Sequence, residues 1–450
     1  MAFCIALMMG IGVAQADAPA TVAIPFEKYT LDNGLQVILS EDHSIPFVQV
    51  NLWYNVGSKD EVAGRSGFAH LFEHLMFQGS AHMDDDYFVP LQKVGADING
   101  TTNFDRTNFF EGVPSEALPL ALWLESDRMG WLLPALTQEK LDNQKAVVRN
   151  ERRQSYEMRP YGEAWMWLHE AVYPEGHPYH IPTIGRHEDI ENATLDDVKA
   201  FFQTWYVPNN ATLTLAGDFD PAEAKALISK YFGPIPRAAD PTHRAVEPVK
   251  LTSEVVVRKT DQVPLGKVWI AWPSPAIFAP GDADLDMLSS MLTDGKDSRL
   301  YKALVRDRQI AKDISAYQVS NTLASIYVVE ATAASGHTTD EIVAAVDEVM
   351  APFRQTGPTA DEMAVAKIQW EASYLGQLER IARKADLLGM YNTRTGDPGY
   401  LSQDLARYQA VTAASVRSAV QTWLVPGQRA VLHVVPEADK KPESGKKEAP

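Results

Sequence analysis

Residues 70–74 read His-Leu-Phe-Glu-His, a pentapeptide whose residue types can bind a metal ion and transfer protons. Apolar side chains recur at helical spacing from Phe68 to Met76. This pattern predicts a helix of about three turns, with an N-cap at Ser66 and its C-terminal glycine at Gly79. Two imidazoles four residues apart on one helix can reach a single metal ion. The carboxylate of Glu73 lies between them, where it can act as a base on a water molecule.

A structural interpretation competes with this one, because a buried histidine is often a hydrogen-bonded core residue. Two histidines and a glutamate on the polar face of one amphipathic helix favour metal binding, and their order is that of the inverted zinc motif. A tetrahedral zinc needs a third protein ligand. A second helical stretch at 141–154 offers Glu151, which lies 77 positions beyond His74. Taken alone, Glu151 is one acid among 59 and would also suit a solvated helix face.

The two segments together resemble the pitrilysin/insulinase family of zinc peptidases, which includes the mitochondrial processing peptidases and their bacterial relatives. The resemblance implies that His70, His74 and Glu151 hold one Zn²⁺ and that Glu73 is the general base. The segment 95–107 resembles the substrate-binding strand of the family, which implies that Asn99 binds a peptide substrate. Other matching segments are Leu31-Asp32-Asn33-Gly34-Leu35, Tyr206 to Ala211 and Ala216 to Asp220; a departure is Gly100, where the family usually has alanine.

The sequence departs from the family at the residues that stabilise the oxyanion. Members of the family supply an Arg and a Tyr from their second half, whereas this chain has Val305 and Lys312 at those positions. The resemblance therefore implies a homologous partner subunit that provides the Arg/Tyr pair in a heterodimer. Gln144 stands where many members carry a glutamate, seven residues before Glu151. It is predicted to support a ligand or a water by a hydrogen bond, and a solvent-facing amide is the alternative.

Composition excludes several classes of protein. The chain has 450 residues, of which 45% are apolar and 22% charged, a soluble globular profile. Its net charge of −18 argues against nucleic-acid binding. An apolar run at 2–14 ends in Ala-Gln-Ala and predicts a signal peptide over 1–16, and hence a periplasmic location. The single cysteine, Cys4, lies inside that run, so the mature chain would have neither disulfides nor a catalytic cysteine. No other stretch is long and apolar enough for a membrane span.

The order of predicted elements indicates an α+β protein with two homologous α/β-sandwich halves, each a mostly antiparallel sheet packed with helices. A turn signal at 32–34 opens the first half, and a similar succession of strands and helices follows twice. We predict these segments: a zinc-bearing N-terminal peptidase domain at 17–236, a linker at 237–247, a C-terminal domain of the same fold at 248–436 and a disordered tail at 437–450.

The sequence favours a zinc metalloendopeptidase subunit that hydrolyses short or unfolded peptides in an enclosed chamber. The alternative is a non-catalytic peptide-binding or assembly subunit of the same fold, which the missing Arg/Tyr pair keeps open. A maturation peptidase with one dedicated substrate fits the sequence equally well. A second metal pair at His177 and His180 is disfavoured, because Pro178 between them prevents regular helical presentation.

Overall fold

The computed structural model describes residues 22–437, which form two halves built on one plan. The predicted signal peptide, and the predicted tail beyond Glu437, lie outside the described residues. The first half contains β1 (Glu27–Thr30), β2 (Gln36–Glu41), β3 (Phe47–Tyr54), α1 (Phe68–Leu75), α2 (Phe88–Gln92), β4 (Asp97–Thr102), β5 (Thr107–Pro114), α3 (Leu118–Ala135), α4 (Gln138–Arg152), α5 (Ala164–Val172), α6 (His187–Glu191), α7 (Leu195–Trp205), β6 (Ala211–Gly217) and α8 (Pro221–Phe232).

The second half repeats this succession after residues 237–250, which contain no helix or strand. It contains β7 (Val255–Asp261), β8 (Lys267–Ser274), α9 (Asp282–Thr293), β9 (Ala311–Val319), β10 (Ser325–Ala333), α10 (Thr339–Thr356), α11 (Ala360–Gln377), α12 (Ile381–Thr395), α13 (Leu401–Gln409), α14 (Ala413–Trp423) and β11 (Ala430–Pro436). Between α9 and β9, residues Tyr301–Asp307 form a π-helical segment.

The two sheets have the same strand order once the first strand is set aside. The first sheet runs β1-β2-β6-β3-β5-β4 and the second runs β7-β11-β8-β10-β9. One pair in each sheet is parallel, β2 with β6 and β7 with β11, and the other pairs are antiparallel. This agreement confirms the predicted fold class of two similar, mostly antiparallel α+β halves.

Strand β3 shows why each sheet needs cover on both faces. Val50 and Leu52 are fully buried against the helices of their own half, and Trp53 on the opposite face is also buried. The cover on that opposite face is α12 of the second half, where a Cβ added to Gly389 would lie 3.3 Å from the Trp53 ring. Buried apolar residues on both faces of a strand predict such a three-layer arrangement.

Each half contributes one helix that packs against the sheet of the other half. Helix α5 packs against β7, β8 and β11, and its Leu168 is buried in a cluster that includes Ile326 and Leu432. Helix α12 packs against β3 and β6, and Leu388 joins a cluster with Ile38. The two halves therefore share apolar cores. Within residues 22–437, the helices include none with both the length and the apolarity of a membrane span.

Candidate active site

The helix that carries the His-Leu-Phe-Glu-His motif is shorter than predicted. Helix α1 has eight residues and ends at Leu75, so the expected third turn is absent. It begins after Gly67, whose φ of 87° is in the left-handed region, and the prediction of Ser66 as N-cap is wrong. The hydroxyl of Ser66 donates instead to the carboxylate of Asp189. The apolar face is buried as predicted: Phe68, Ala69, Leu71, Phe72 and Leu75.

A buried carboxylate takes the place of the predicted cap. Glu61 Oε2 accepts a hydrogen bond from the Gly67 amide at 3.0 Å, and its Oε1 accepts one from the Ala69 amide at 2.9 Å. These bonds satisfy amide groups that a helix leaves unpaired at its start. Glu61 thus fixes the start of the motif helix from the loop that precedes it, six residues before Gly67. Only its acidic type, a few residues before the helix, could have indicated this role.

The structure brings His70, His74 and Glu151 together. Helix α4 runs beside α1, and Glu151 is its penultimate residue. Glu151 Oε2 lies 3.3 Å from His74 Nε2 and 3.7 Å from His70 Nε2. One ligand atom from each of the three side chains lies within 4.8 Å of the others. In the described part of the chain, no other group of three His, Cys, Asp or Glu side chains meets this condition.

The electrostatics of these three groups suit a metal ion. Burial and the neighbouring His74 lower the pKa of His70 to about 4, so its imidazole is neutral at neutral pH. The interaction with His74 holds the pKa of Glu151 below its usual range, so this carboxylate is ionised. Neutral imidazole and carboxylate are the forms that zinc binds, and three such ligands leave a fourth tetrahedral position open. The residues present therefore fit a zinc ion.

Glu73 is held by the neighbouring sheet and points away from the apolar face of α1. Thr102 Oγ1, at the end of β4, donates to Glu73 Oε2 over 2.6 Å. Burial raises the pKa of Glu73, although Thr102 and nearby positive charges partly oppose this effect. Gly100 adjoins the same side chain, because an added Cβ there would lie 3.1 Å from Glu73 Cγ. The role of Thr102 was not predicted from the sequence, although alternation along β4 places Thr102 on the same face of the strand as Gly100.

Strand β4 ends the first sheet and presents an open edge beside Glu73. The Asn103 amide donates to the Arg106 carbonyl at 3.0 Å, which closes the β4–β5 hairpin. In the antiparallel pattern, the backbone groups of Ile98, Gly100 and Thr102 then point away from β5. Asn99 is exposed on this strand, and its Oδ1 accepts a hydrogen bond from the Gly100 amide at 2.9 Å. The edge can therefore pair with an extended peptide once Asn99 releases that amide.

The other candidate positions are Gln144, Val305 and Lys312. Gln144 is buried on α4, which rules out the solvent-facing alternative, and among the described residues it has no hydrogen bond to the three clustered side chains. Val305 is half-buried in the π-helical turn, and Lys312 is exposed on β9.

Backbone groups engage both histidines of the disfavoured second pair. His177 Nδ1 accepts from the Tyr179 amide at 3.0 Å, and His180 Nδ1 donates to the Tyr173 carbonyl at 2.8 Å.

Two family models match successive stretches of the chain. Residues 36–184 match the family model described as Insulinase (Peptidase family M16). Residues 192–369 match the model described as Peptidase M16 inactive domain. The His/Glu cluster lies wholly within the first match, and both Val305 and Lys312 lie within the second.

Individual relatives agree with this assignment. The sequence is 29% identical to the zinc protease PqqE of Helicobacter pylori over 370 residues, which are 81% of this chain and 83% of that protein. It is 26% identical over 398 residues to a protein of Schizosaccharomyces pombe named "Probable mitochondrial-processing peptidase subunit beta", with 84% of each chain covered. A crystal structure of a protease from Helicobacter pylori superimposes with a TM-score of 0.86 at 26% identity, covering 92% of this chain and 100% of that one.

Proposed function

The chain belongs to the pitrilysin/insulinase (M16) family, and on that premise we propose that it is the zinc-bearing subunit of a metalloendopeptidase. Its substrates are short or unfolded peptides. The observation that carries this proposal is the cluster of His70, His74 and Glu151, with Glu73 beside it at the edge strand. Zinc held there would polarise the scissile carbonyl and make water a stronger nucleophile.

The residues of the chain account for the proton transfers. Glu73 takes a proton from the attacking water and delivers it to the leaving amine. The raised pKa of Glu73 suits this role, because a less acidic carboxyl group holds the proton more firmly between the two steps. Thr102 bonds only one oxygen of that carboxylate, Oε2. The other oxygen is left for the water.

The open edge of β4 supports an extended peptide as the substrate. A peptide strand that pairs with Ile98, Gly100 and Thr102 would bind chiefly through its backbone. Such binding accepts many sequences but requires an extended chain. We therefore propose that flexible peptides are cut and that stably folded proteins are spared.

A partner subunit follows from the residues that stand at the family's oxyanion-stabilising positions. Val305 has no hydrogen-bond donor in its side chain, and Lys312 does not reproduce a phenol. We propose that a homologous chain supplies an Arg/Tyr pair across a shared cavity in a heterodimer. The predicted signal peptide supports a periplasmic location for this assembly.

A second function is favoured by a specific observation. The chain has neither member of the Arg/Tyr pair at the expected positions, and its second part matches a domain described as inactive. A non-catalytic subunit that binds peptides or supports assembly would share these features. It would not need an intact general base, however, and this chain keeps Glu73 together with its hydrogen bond from Thr102.

Reconstitution separates the two functions. The zinc-loaded chain is mixed with a homologous chain that has the Arg/Tyr pair, and cleavage of a fluorogenic peptide is followed. We expect little turnover from the chain alone and a rise of about 10²–10³ with the partner, the usual effect of one oxyanion donor. The control is the same mixture made with the Glu73→Gln variant, which should stay inactive. Undiminished activity in that control would refute the catalytic proposal and leave the chain as a supporting subunit.

A further inference from the structure

Arg106 is a half-buried cation that has no dedicated counter-ion among the described residues. It lies on the turn between β4 and β5, and its Nη1 donates to the carbonyl oxygen of Thr101 at 2.7 Å and to the hydroxyl of the same residue. Its guanidinium carbon is 5.2 Å from the centre of the Trp53 ring. Over residues 22–437, no carboxylate oxygen lies within 4.0 Å of its nitrogens.

The acids nearest to Arg106 are bound by other donors. Asp386 accepts from Arg383 at 2.7 Å, and Glu73 accepts from Thr102. Asp105 accepts from the Tyr179 hydroxyl at 2.5 Å and is paired with Arg394. A half-buried arginine is costly unless its donors are satisfied, and here burial lowers the pKa of Arg106.

Two of its nitrogens remain available to a ligand. Nε and Nη2 of Arg106 have no hydrogen-bond acceptor within the described part of the chain, yet neither is sealed from solvent. Together with Nη1 they form the planar fork that binds a carboxylate through two parallel hydrogen bonds. The guanidinium is held in place by Thr101 and Trp53, so little conformational freedom would be lost on binding.

The contacts of Arg106 with Thr101 and Trp53 place it on the face of the sheet opposite to Glu73. Thr101 pairs with Asn108, and Asn108 pairs with Trp53, so these side chains share the face covered by α12. Thr102 and Glu73 lie on the other face. A peptide strand added to the edge of β4 would point alternate side chains to the two faces. The side chain next to the residue facing Glu73 would therefore meet Arg106.

We propose that Arg106 forms a carboxylate-binding subsite on the α12 face of β4, which selects peptides with a carboxylate next to the residue that faces Glu73. The inference rests on the proposed binding of peptides at this edge. The carboxylate can belong to an Asp or Glu side chain or to the C-terminus of a short peptide. The preference is local, because the net charge of −18 would by itself disfavour acidic peptides.

A binding experiment tests the subsite without turnover. The zinc-loaded Glu73→Gln chain is titrated against fluorescent peptides that differ only in Glu or Gln at one scanned position, and anisotropy gives Kd. We expect the Glu peptide to bind about 10- to 100-fold tighter at one position, the worth of a hydrogen bond to a charged group. Repeating the titration with a C-terminal amide shows whether the side chain or the terminus supplies the carboxylate.

Variants at position 106 test whether the Arg106 side chain causes this preference. Arg106→Met keeps the aliphatic contact with Trp53 and should abolish the preference for the acidic peptide while leaving the Gln peptide unchanged. Arg258→Met, which removes one exposed charge from β7, should retain the preference. The subsite is refuted if the Glu73→Gln chain, which keeps Arg106, binds the Glu and Gln peptides equally and the free-acid and C-terminal amide peptides equally. This comparison does not depend on whether Arg106→Met folds. Peptide binding without that preference would leave the proposed function standing, whereas absence of peptide binding would remove both.

Discussion

The two halves of this chain have the same sheet order but different chemistry at the corresponding helix. Helix α1 begins after Gly67 with a φ of 87°, and α9 begins after Gly281 with a φ of 97°. Both helices are followed by the hairpin that ends their sheet, β4 with β5 and β9 with β10. This agreement allows the two helices to be compared position by position.

The residues proposed for zinc binding and proton transfer in the first half have different side chains at the corresponding positions of the second. Counted from the capping glycine, the positions of His70, Glu73 and His74 correspond to Asp284, Met287 and Leu288. Met287 and Leu288 are buried in the second core. Apolar spacing and turn glycines thus maintain the fold in both halves, while the polar residues proposed for the function occur on one helix of the first half.

The largest expected effect comes from removing the base in the first half. Glu73→Gln keeps the size and polarity of the side chain but cannot take a proton, so peptide hydrolysis by the reconstituted enzyme should fall by roughly 10²–10⁴. The matched change Met287→Leu conserves volume in the second half and should leave kcat close to the wild-type value. Steady-state kinetics check both variants. A comparable loss of kcat in both variants would mean that position 287 contributes to the reaction as position 73 does, against the proposed difference between the halves.

Cavities made in α5 and in α12, the helices that pack on the sheet of the other half, should lower the stability of the chain to a similar extent. Leu168 of α5 and Leu388 of α12 are buried against the opposite sheets. Leu168→Ala and Leu388→Ala should each lower the free energy of unfolding by about 2–5 kcal/mol, the usual effect of a cavity in a core.

Urea denaturation checks this pair of variants. Because the cores are shared, each variant should shift a single transition of the whole chain. Two separate transitions, of which a variant moves only one, would show that the halves unfold independently.

A smaller effect is expected from the contact that aligns the base. Thr102→Val removes the hydrogen bond to Glu73 at constant side-chain volume, and kcat should fall roughly tenfold with KM nearly unchanged. Thr102→Ser keeps the hydroxyl and should restore most of the rate. A rise in KM with constant kcat would instead assign Thr102 to substrate binding.

Much of the fold was predictable from the sequence, because it depends on local periodicity. Apolar spacing and turn residues alone predict helices near 282–293 and at 413–423 and a strand near 325–333, and the structure has these three elements with the same bounds. The start of α1 was not predictable in the same way. Its first amides are bound by the carboxylate of Glu61, whereas the local pattern favours Ser66 as the cap.

The site was only partly predictable for a related reason. The His/Glu spacing and the family resemblance indicated His70, His74 and Glu151, and the structure brings them together. The bond from Thr102 to Glu73 joins β4 to α1, and the position of Arg106 beside Trp53 depends on the register of β3, β4 and β5. Such contacts join distant segments, so no local pattern contains them.

Metal analysis of the purified chain tests most directly whether the first half alone holds the zinc. Wild-type protein should contain about one zinc per chain, and His70→Ala and Glu151→Ala should lose most of it. Asp284→Asn, at the counterpart of His70 in the second half, should retain the full content. Undiminished zinc in His70→Ala or Glu151→Ala, or a loss of zinc in Asp284→Asn, would contradict the account.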